Sequence, residues 1–297
     1  MMTSSPLKKA FFITSFLICL PLYAGEGLFS RAYTTETVPA DHFELEQMVR
    51  NRSGRAFGDY TAFDFASEFE YGVTDNFQAA FYLNTGYIDA DHAPDDNDPN
   101  GETGFTNHGF ALDSVAMELI YRVLSPIADP IGLAFYFEPE YNFHDIHNGD
   151  PEYDSLSNEF RVLIQKNFLG DQLIFVYNLV FEMEYFRYGY GETPFIGELD
   201  WNNELGLTYR VMANWYAGLE FRNHNEFGNF WSHDHSLFWA GPAIHYASTG
   251  LWATLGVLRE VYGDPNGTDS SGSFLGNGLF LHSHEEWETT LKVGVPF

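Results

Sequence analysis

The side chains able to do chemistry fall into three groups, and the largest is acidic. Glu68, Glu70, Glu118, Glu138, Glu140, Glu159, Glu182, Glu184, Glu204 and Glu220 recur at alternate positions of otherwise apolar stretches, and Glu44, Glu46, Asp64 and Glu288 share their parity. Arg122, Arg161, Arg210, Arg222, Arg259 and Lys292 fall on the same side. A face on which carboxylates outnumber bases favours cations and disfavours anions if it meets water. If it is closed, guanidinium pairing and water must compensate the charges, because burying them alone is costly. An aqueous cation-preferring lumen and an ion-paired scaffold interior both fit this pattern.

The second group is Asp96, Asp98, Asn100 and Gly101, spaced D-x-D-x-N-G. Oxygen ligands at alternate positions open a calcium loop, but the acid expected at the twelfth position is Asn107. Any Ca2+ site in the 91–102 loop would therefore be irregular, drawing on Asp91, Asp95 and Glu102, and a solvated acidic loop is the alternative. The third group is the late histidines, His224 and the pairs His233/His235 and His282/His284. Each pair places two rings on one face of an extended chain. If their loops met at the outer rim they would offer nitrogen ligands to Zn2+ or Cu2+, while hydrogen-bonded loop residues are the simpler alternative. Ser232, Ser236 and Ser283 lie beside them, so a lipid hydrolase with a rim site is a further alternative. No nucleophile motif accompanies these serines; no residue is assigned as catalytic, and no cofactor is required.

These groups need elements to hold them, and residues 63–88 are the pattern for those elements. Phe63, Phe65, Ser67, Phe69, Tyr71 and Val73 alternate with Asp64, Ala66, Glu68, Glu70 and Gly72; after a short turn, Phe77, Ala79, Phe81, Leu83 and Tyr87 alternate with Gln78, Ala80, Tyr82, Asn84 and Ile88. A period of two is a strand, and arms of about 11 residues match a tilted strand crossing a bilayer. Similar stretches lie near 42–50, 113–124, 131–144, 156–166, 173–186, 201–211, 215–224, 235–246, 251–262 and 285–297. Twelve strands result, with short connections after even-numbered strands and longer ones after odd-numbered ones. The expectation is a single all-β antiparallel transmembrane barrel with short periplasmic turns and long external loops. Both faces of 235–262 are apolar, which predicts that this wall packs against an inserted loop, and Pro242 predicts a bulge.

Lys8 and Lys9 followed by an apolar run and Leu22-Tyr23-Ala24 read as a signal peptide over 1–24. Residues 25–41, which have little period, read as a periplasmic lead-in to a barrel over 42–297. The one cysteine, Cys19, lies in the leader, which removes disulfides and thiolate catalysis from the mature chain. Forty-two acidic residues against 14 basic ones, a formal net charge of −28, exclude nucleic acid as a partner. An aromatic content of 18% argues against disorder.

Residues 70–84, EYGVTDNFQAAFYLN, with ETVPADHFELEQMV before them, resemble an uncharacterised family of predicted Gram-negative outer-membrane proteins. The terminal Phe297, preceded by Leu291, Val293 and Val295, resembles the C-terminal recognition strand of outer-membrane barrels, from which Pro296 departs. The resemblance implies an outer-membrane location and assembly by the barrel-assembly machinery through that strand; it brings no activity or catalytic residue. The expected partners are outer-membrane lipid and small solutes, with the chain a monomer acting as a channel for cationic or neutral solutes or, alternatively, as a surface-binding or structural barrel.

Overall fold

The structure is a computed structural model that describes residues 26–94, 104–144, 147, 153–188, 196–265 and 278–297. The signal peptide expected over 1–24 and the calcium-type residues Asp96, Asp98, Asn100 and Glu102 lie outside the described residues. Twelve antiparallel strands close on themselves: β1 (Phe43–Ser53), β2 (Asp59–Thr74), β3 (Phe77–Ala93), β4 (Phe105–Leu124), β5 (Gly132–Asn142), β6 (Tyr153–Phe168), β7 (Leu173–Tyr188), β8 (Ile196–Met212), β9 (Trp215–Gly228), β10 (Ser232–Ala247), β11 (Trp252–Pro265) and β12 (Trp287–Pro296). Each pairs with its sequence neighbours, and β1 pairs with β12 to remove the last open edge. Phe43 and Phe297 exchange backbone bonds at that seam (3.0 and 2.9 Å), and the Phe43 ring stacks on Tyr71 and Phe297.

The alternation in the sequence appears as two faces. Phe69, Phe81, Met117, Phe135, Phe160, Leu207, Leu219 and Leu291 stand exposed on the outside, while Glu68, Glu118, Glu204, Glu220 and Glu288 are buried inside. So wide an exposed apolar belt on a closed sheet is a surface for lipid rather than water. Several strands run to 16 residues or more, longer than the periodic cores in the sequence. One consequence corrects the sequence reading: residues 225–234 are not a long connection. β9 runs on to Gly228 and β10 begins at Ser232, so His233 joins His235 on a strand and does not sit in a rim loop.

The lead-in is the larger difference. Residues 27–38 do not trail outside the barrel but thread through the lumen at its short-turn end, with Leu28, Phe29, Ser30, Ala32, Thr34 and Thr35 buried. The segment shows no period because its backbone is satisfied by wall side chains instead of a ladder. Ser30 N and Arg31 N donate to the two carboxylate oxygens of Glu220 (2.7 and 2.9 Å), Tyr33 N to Asn178 (2.6 Å), Thr35 N to Gln165 (2.9 Å) and Val38 N to Gln78 (2.7 Å). Leu28, Phe29 and Ala32 pack on Ile174, Val176 and Tyr216. Gly206 and Gly256 make room: a side chain at either would collide with Phe29 or Ser30 respectively.

At the other end, residues 278–286 fold inward. Phe280 packs with Leu237, Trp239 and Leu258, which explains the apolar inner side of β10 and β11. The bulge expected at Pro242 falls instead between Phe238 and Trp239. At Gly241 and Pro242 the chain omits pairing with β11, since proline has no N–H to give.

Replacing Gly206 with leucine should expel the threaded segment while leaving the barrel closed. The measurement is trypsin cleavage after Arg31, resisted by the native chain and rapid in the variant, with heat-modifiable gel migration unchanged.

Candidate functional site

Between the threaded segment and the inward loop lies a cavity of about 850 Å³, lined by Glu68, Glu138, Glu140, Glu159, Arg161, Glu182, Glu184 and Arg222, among others. Its charges are unevenly spread, with the basic groups gathered on one side in pairs with carboxylates. On the β1, β2, β9 and β12 side, Arg31 holds Glu288 at 2.6 Å, Arg222 reaches the same carboxylate at 3.2 Å, and Arg52 holds Asp64 at 2.8 Å. On the β5 to β9 side carboxylates dominate. Strand register sets them directly opposite one another: Glu138 faces Glu159, Glu159 faces Glu182, Glu182 faces Asp200, and Asp200 faces Glu226. Like charges at directly opposed positions repel. Within this row Arg161 binds Glu159 at 2.5 Å and also reaches Glu204 at 3.2 Å.

The remaining predicted lumen residues divide by depth. Glu220 carries the threaded segment, while Gln78 donates to both Glu70 and Glu118 below the cavity. Arg122 and Arg210 lie at the short-turn rim, Arg122 bound to Glu36 at 3.0 Å and Arg210 opposite Tyr216. Neither lines the cavity. Asp200 and Glu226 do line it, although the sequence reading ends the neighbouring strands before them. Extending the parity of Glu204 and Asn202 by one more step, and that of His224 likewise, would have reached both.

The histidines sort differently from their sequence spacing. His235 and His284 come together, their Nε2 atoms 2.9 Å apart, whereas His233 and His282 turn elsewhere. His233 bonds Ser236 Oγ (2.9 Å), and the His282 ring is buried with neither nitrogen hydrogen-bonded among the described residues. The H-x-H argument fails because the extended backbone at 233–235 is interrupted by a register shift, and 282–284 is a bend rather than a strand. In place of the missing pair stand His224 and Glu226 from β9. One ligand atom from each of His224, Glu226, His235 and His284 lies within 4.8 Å of all the others. Burial, helped by the adjoining His235 and His224, holds the His284 imidazole well below its ordinary range. Ser236 gives its hydroxyl hydrogen to Asn225 (2.7 Å), so His233 donates to Ser236 rather than activating it.

Residues 21–297 match the model of a family described as a family of unknown function, DUF6662. The chain belongs to that family. The barrel architecture anticipated from residues 70–84 is thereby joined to a family that spans the whole described fold. No curated protein matches the sequence. Among solved structures, the outer membrane channel from Pseudomonas putida F1 superposes with a TM-score of 0.53 at 13% identity, covering 89% of this chain and 98% of that one. The beta domain of the Bordetella autotransporter BrkA superposes with a TM-score of 0.50 at 11% identity, covering 88% and 100%. At such identities the likeness is one of fold: an outer-membrane type of barrel.

The charged wall makes a stability prediction. Glu288→Ala leaves Arg31 and Arg222 without their shared carboxylate and should cost about 3–5 kcal/mol. Arg259, expected on the inner face, instead stands exposed between the buried Leu258 and Glu260, so Arg259→Ala, which removes a half-exposed pair with Glu286, should cost under about 1 kcal/mol. Urea unfolding midpoints of the two variants in lipid vesicles measure the contrast.

Proposed function

We propose that this protein is an outer-membrane channel for small cationic or neutral solutes, narrowed at the long-loop side by residues 278–286 and closed at the short-turn side by residues 27–38. The observation that carries the reading is the carboxylate row on the cavity wall. Five acids in register gain nothing for folding, and they suit a wall that meets water and attracts cations. The arginine cluster opposite gives the lumen a transverse field, which selects by charge and orients dipolar solutes.

Two features support a removable closure. The segment is held largely by polar side chains reaching its backbone, and water can replace each of those bonds. It also lies ahead of β1 in the chain, so it can leave without breaking the ladder that closes the barrel. In this reading outer-membrane lipid covers the apolar belt, the monomer suffices, and the terminal strand presents Phe297 to the assembly machinery. A plugged, purely structural barrel is the competing reading, and the same threaded segment favours it.

Planar-bilayer recordings separate the two. The intact protein should show small or intermittent steps, and removal of residues 26–38 should raise single-channel conductance several-fold with cations preferred. Glu182→Gln combined with Asp200→Asn should weaken that preference. A truncated barrel that folds but shows no larger steps, or that prefers anions, would overturn the reading.

A further inference from the structure

We propose that His224, Glu226, His235 and His284 form a binding site for a divalent first-row transition ion, Zn2+ foremost, on the lumen wall. The site does not depend on conduction: it asks only that the barrel be folded. Three imidazole nitrogens and one carboxylate are a tetrahedral zinc donor set. Metal–ligand bonds near 2.0–2.2 Å place tetrahedral ligand atoms about 3.4 Å apart. Here Glu226 Oε2 stands 3.3 Å from His235 Nε2, 3.9 Å from His224 Nε2 and 3.9 Å from His284 Nε2. Movements of well under a side chain's width would bring all four onto one ion.

A second observation points at the same spot. His224 is buried, 3% exposed, and its Nε2 has no hydrogen-bond partner among the described residues. Its other nitrogen does have one: Nδ1 lies 2.7 Å from Asn202 Oδ1, which can only accept, so Nδ1 carries the hydrogen. The Nε2 lone pair is thereby aimed into the cluster. An orienting acceptor behind an imidazole ligand is the usual second layer of a metal site. Without an ion, this arrangement buries an acceptor that gains nothing from the fold.

Charge and proton balance agree with a cation. Glu226 also groups with Glu198 and Asp200, and these carboxylates offset the ion's two charges despite Arg222 nearby. His235 and His284 share one Nε2 hydrogen across their 2.9 Å contact. Were that hydrogen moved to Nδ1 of the same ring, both Nε2 lone pairs would be free for an ion with no net proton released. His284 belongs to the inward loop, whereas His224, Glu226 and His235 belong to β9 and β10. The ion would therefore clasp the loop to the wall.

The test uses tag-free folded protein in detergent, with Co2+ as a spectroscopic probe and Zn2+ in competition with a chromophoric chelator. The expected result is one ion per chain, with visible Co2+ absorption of tetrahedral strength. Zn2+ should displace it, and millimolar Ca2+ should not. His235→Ala and His284→Ala should each weaken Zn2+ binding at least tenfold, and Asn202→Leu by about ten- to a hundredfold. His233→Ala should leave it unchanged. Heat-modifiable migration identifies the variants that have folded, and His284→Ala, in the loop, leaves every strand intact. Equal affinity in folded His284→Ala and native protein, an octahedral Co2+ spectrum, or displacement by Ca2+ would overturn the site.

Discussion

Five carboxylates set side by side across five strands, from Glu138 to Glu226, are the arrangement around which the interior is built. At neighbouring-strand distances, two ionised acids repel by about 3 kcal/mol at an effective dielectric near 20. A packed core could not hold such a row. The interior therefore has to supply water, protons or cations on one side and a bank of arginines on the other. Both demands are met by a lumen left unfilled between its two ends, where the side chains crowd.

The ends are filled in different ways for the same reason. A strand's backbone is satisfied by its neighbours, but a chain crossing a lumen has no ladder to join. Residues 27–38 solve this by borrowing side-chain oxygens from the wall, with Gln78, Gln165, Asn178 and Glu220 each accepting a backbone N–H. Small residues on the wall, Gly206 and Gly256 among them, let the backbone approach closely enough for those bonds. Residues 278–286 combine one such bond, from Phe280 N to the Glu260 carboxylate, with apolar burial. Phe280 fills a pocket of Leu237, Trp239 and Leu258, and the backbone carbonyl of Glu285 accepts from Trp239 (3.3 Å).

The histidine cluster lies where these features meet. Its carboxylate is the last member of the acid row, two of its imidazoles come from the wall, and the third arrives on the inward loop. Neither the row nor the loop would make a ligand set alone. Oxygen ligands without nitrogen would suit hard cations, and histidines without a nearby acid would meet a purely positive neighbour in Arg222.

Parity was legible in the residues. Because side chains on a strand alternate except where a bulge intervenes, Glu68, Glu138, Glu182 and Glu288 are assigned inward, and Phe69, Phe81 and Phe181 outward, from spacing alone; strand count and closure follow from the same rhythm. The apolar inner side of 235–262 even announces an inserted loop. What spacing does not contain is the offset of one strand against the next. That offset decides that Glu159 faces both Glu138 and Glu182, that Glu226 reaches His235, and that His284 rather than His282 turns toward them. An aperiodic stretch such as 27–38 is also silent in one dimension, since its partners on the barrel wall lie between 38 and 257 residues away along the chain. The local chain determines which way each side chain points. Only closure of the barrel determines what it points at.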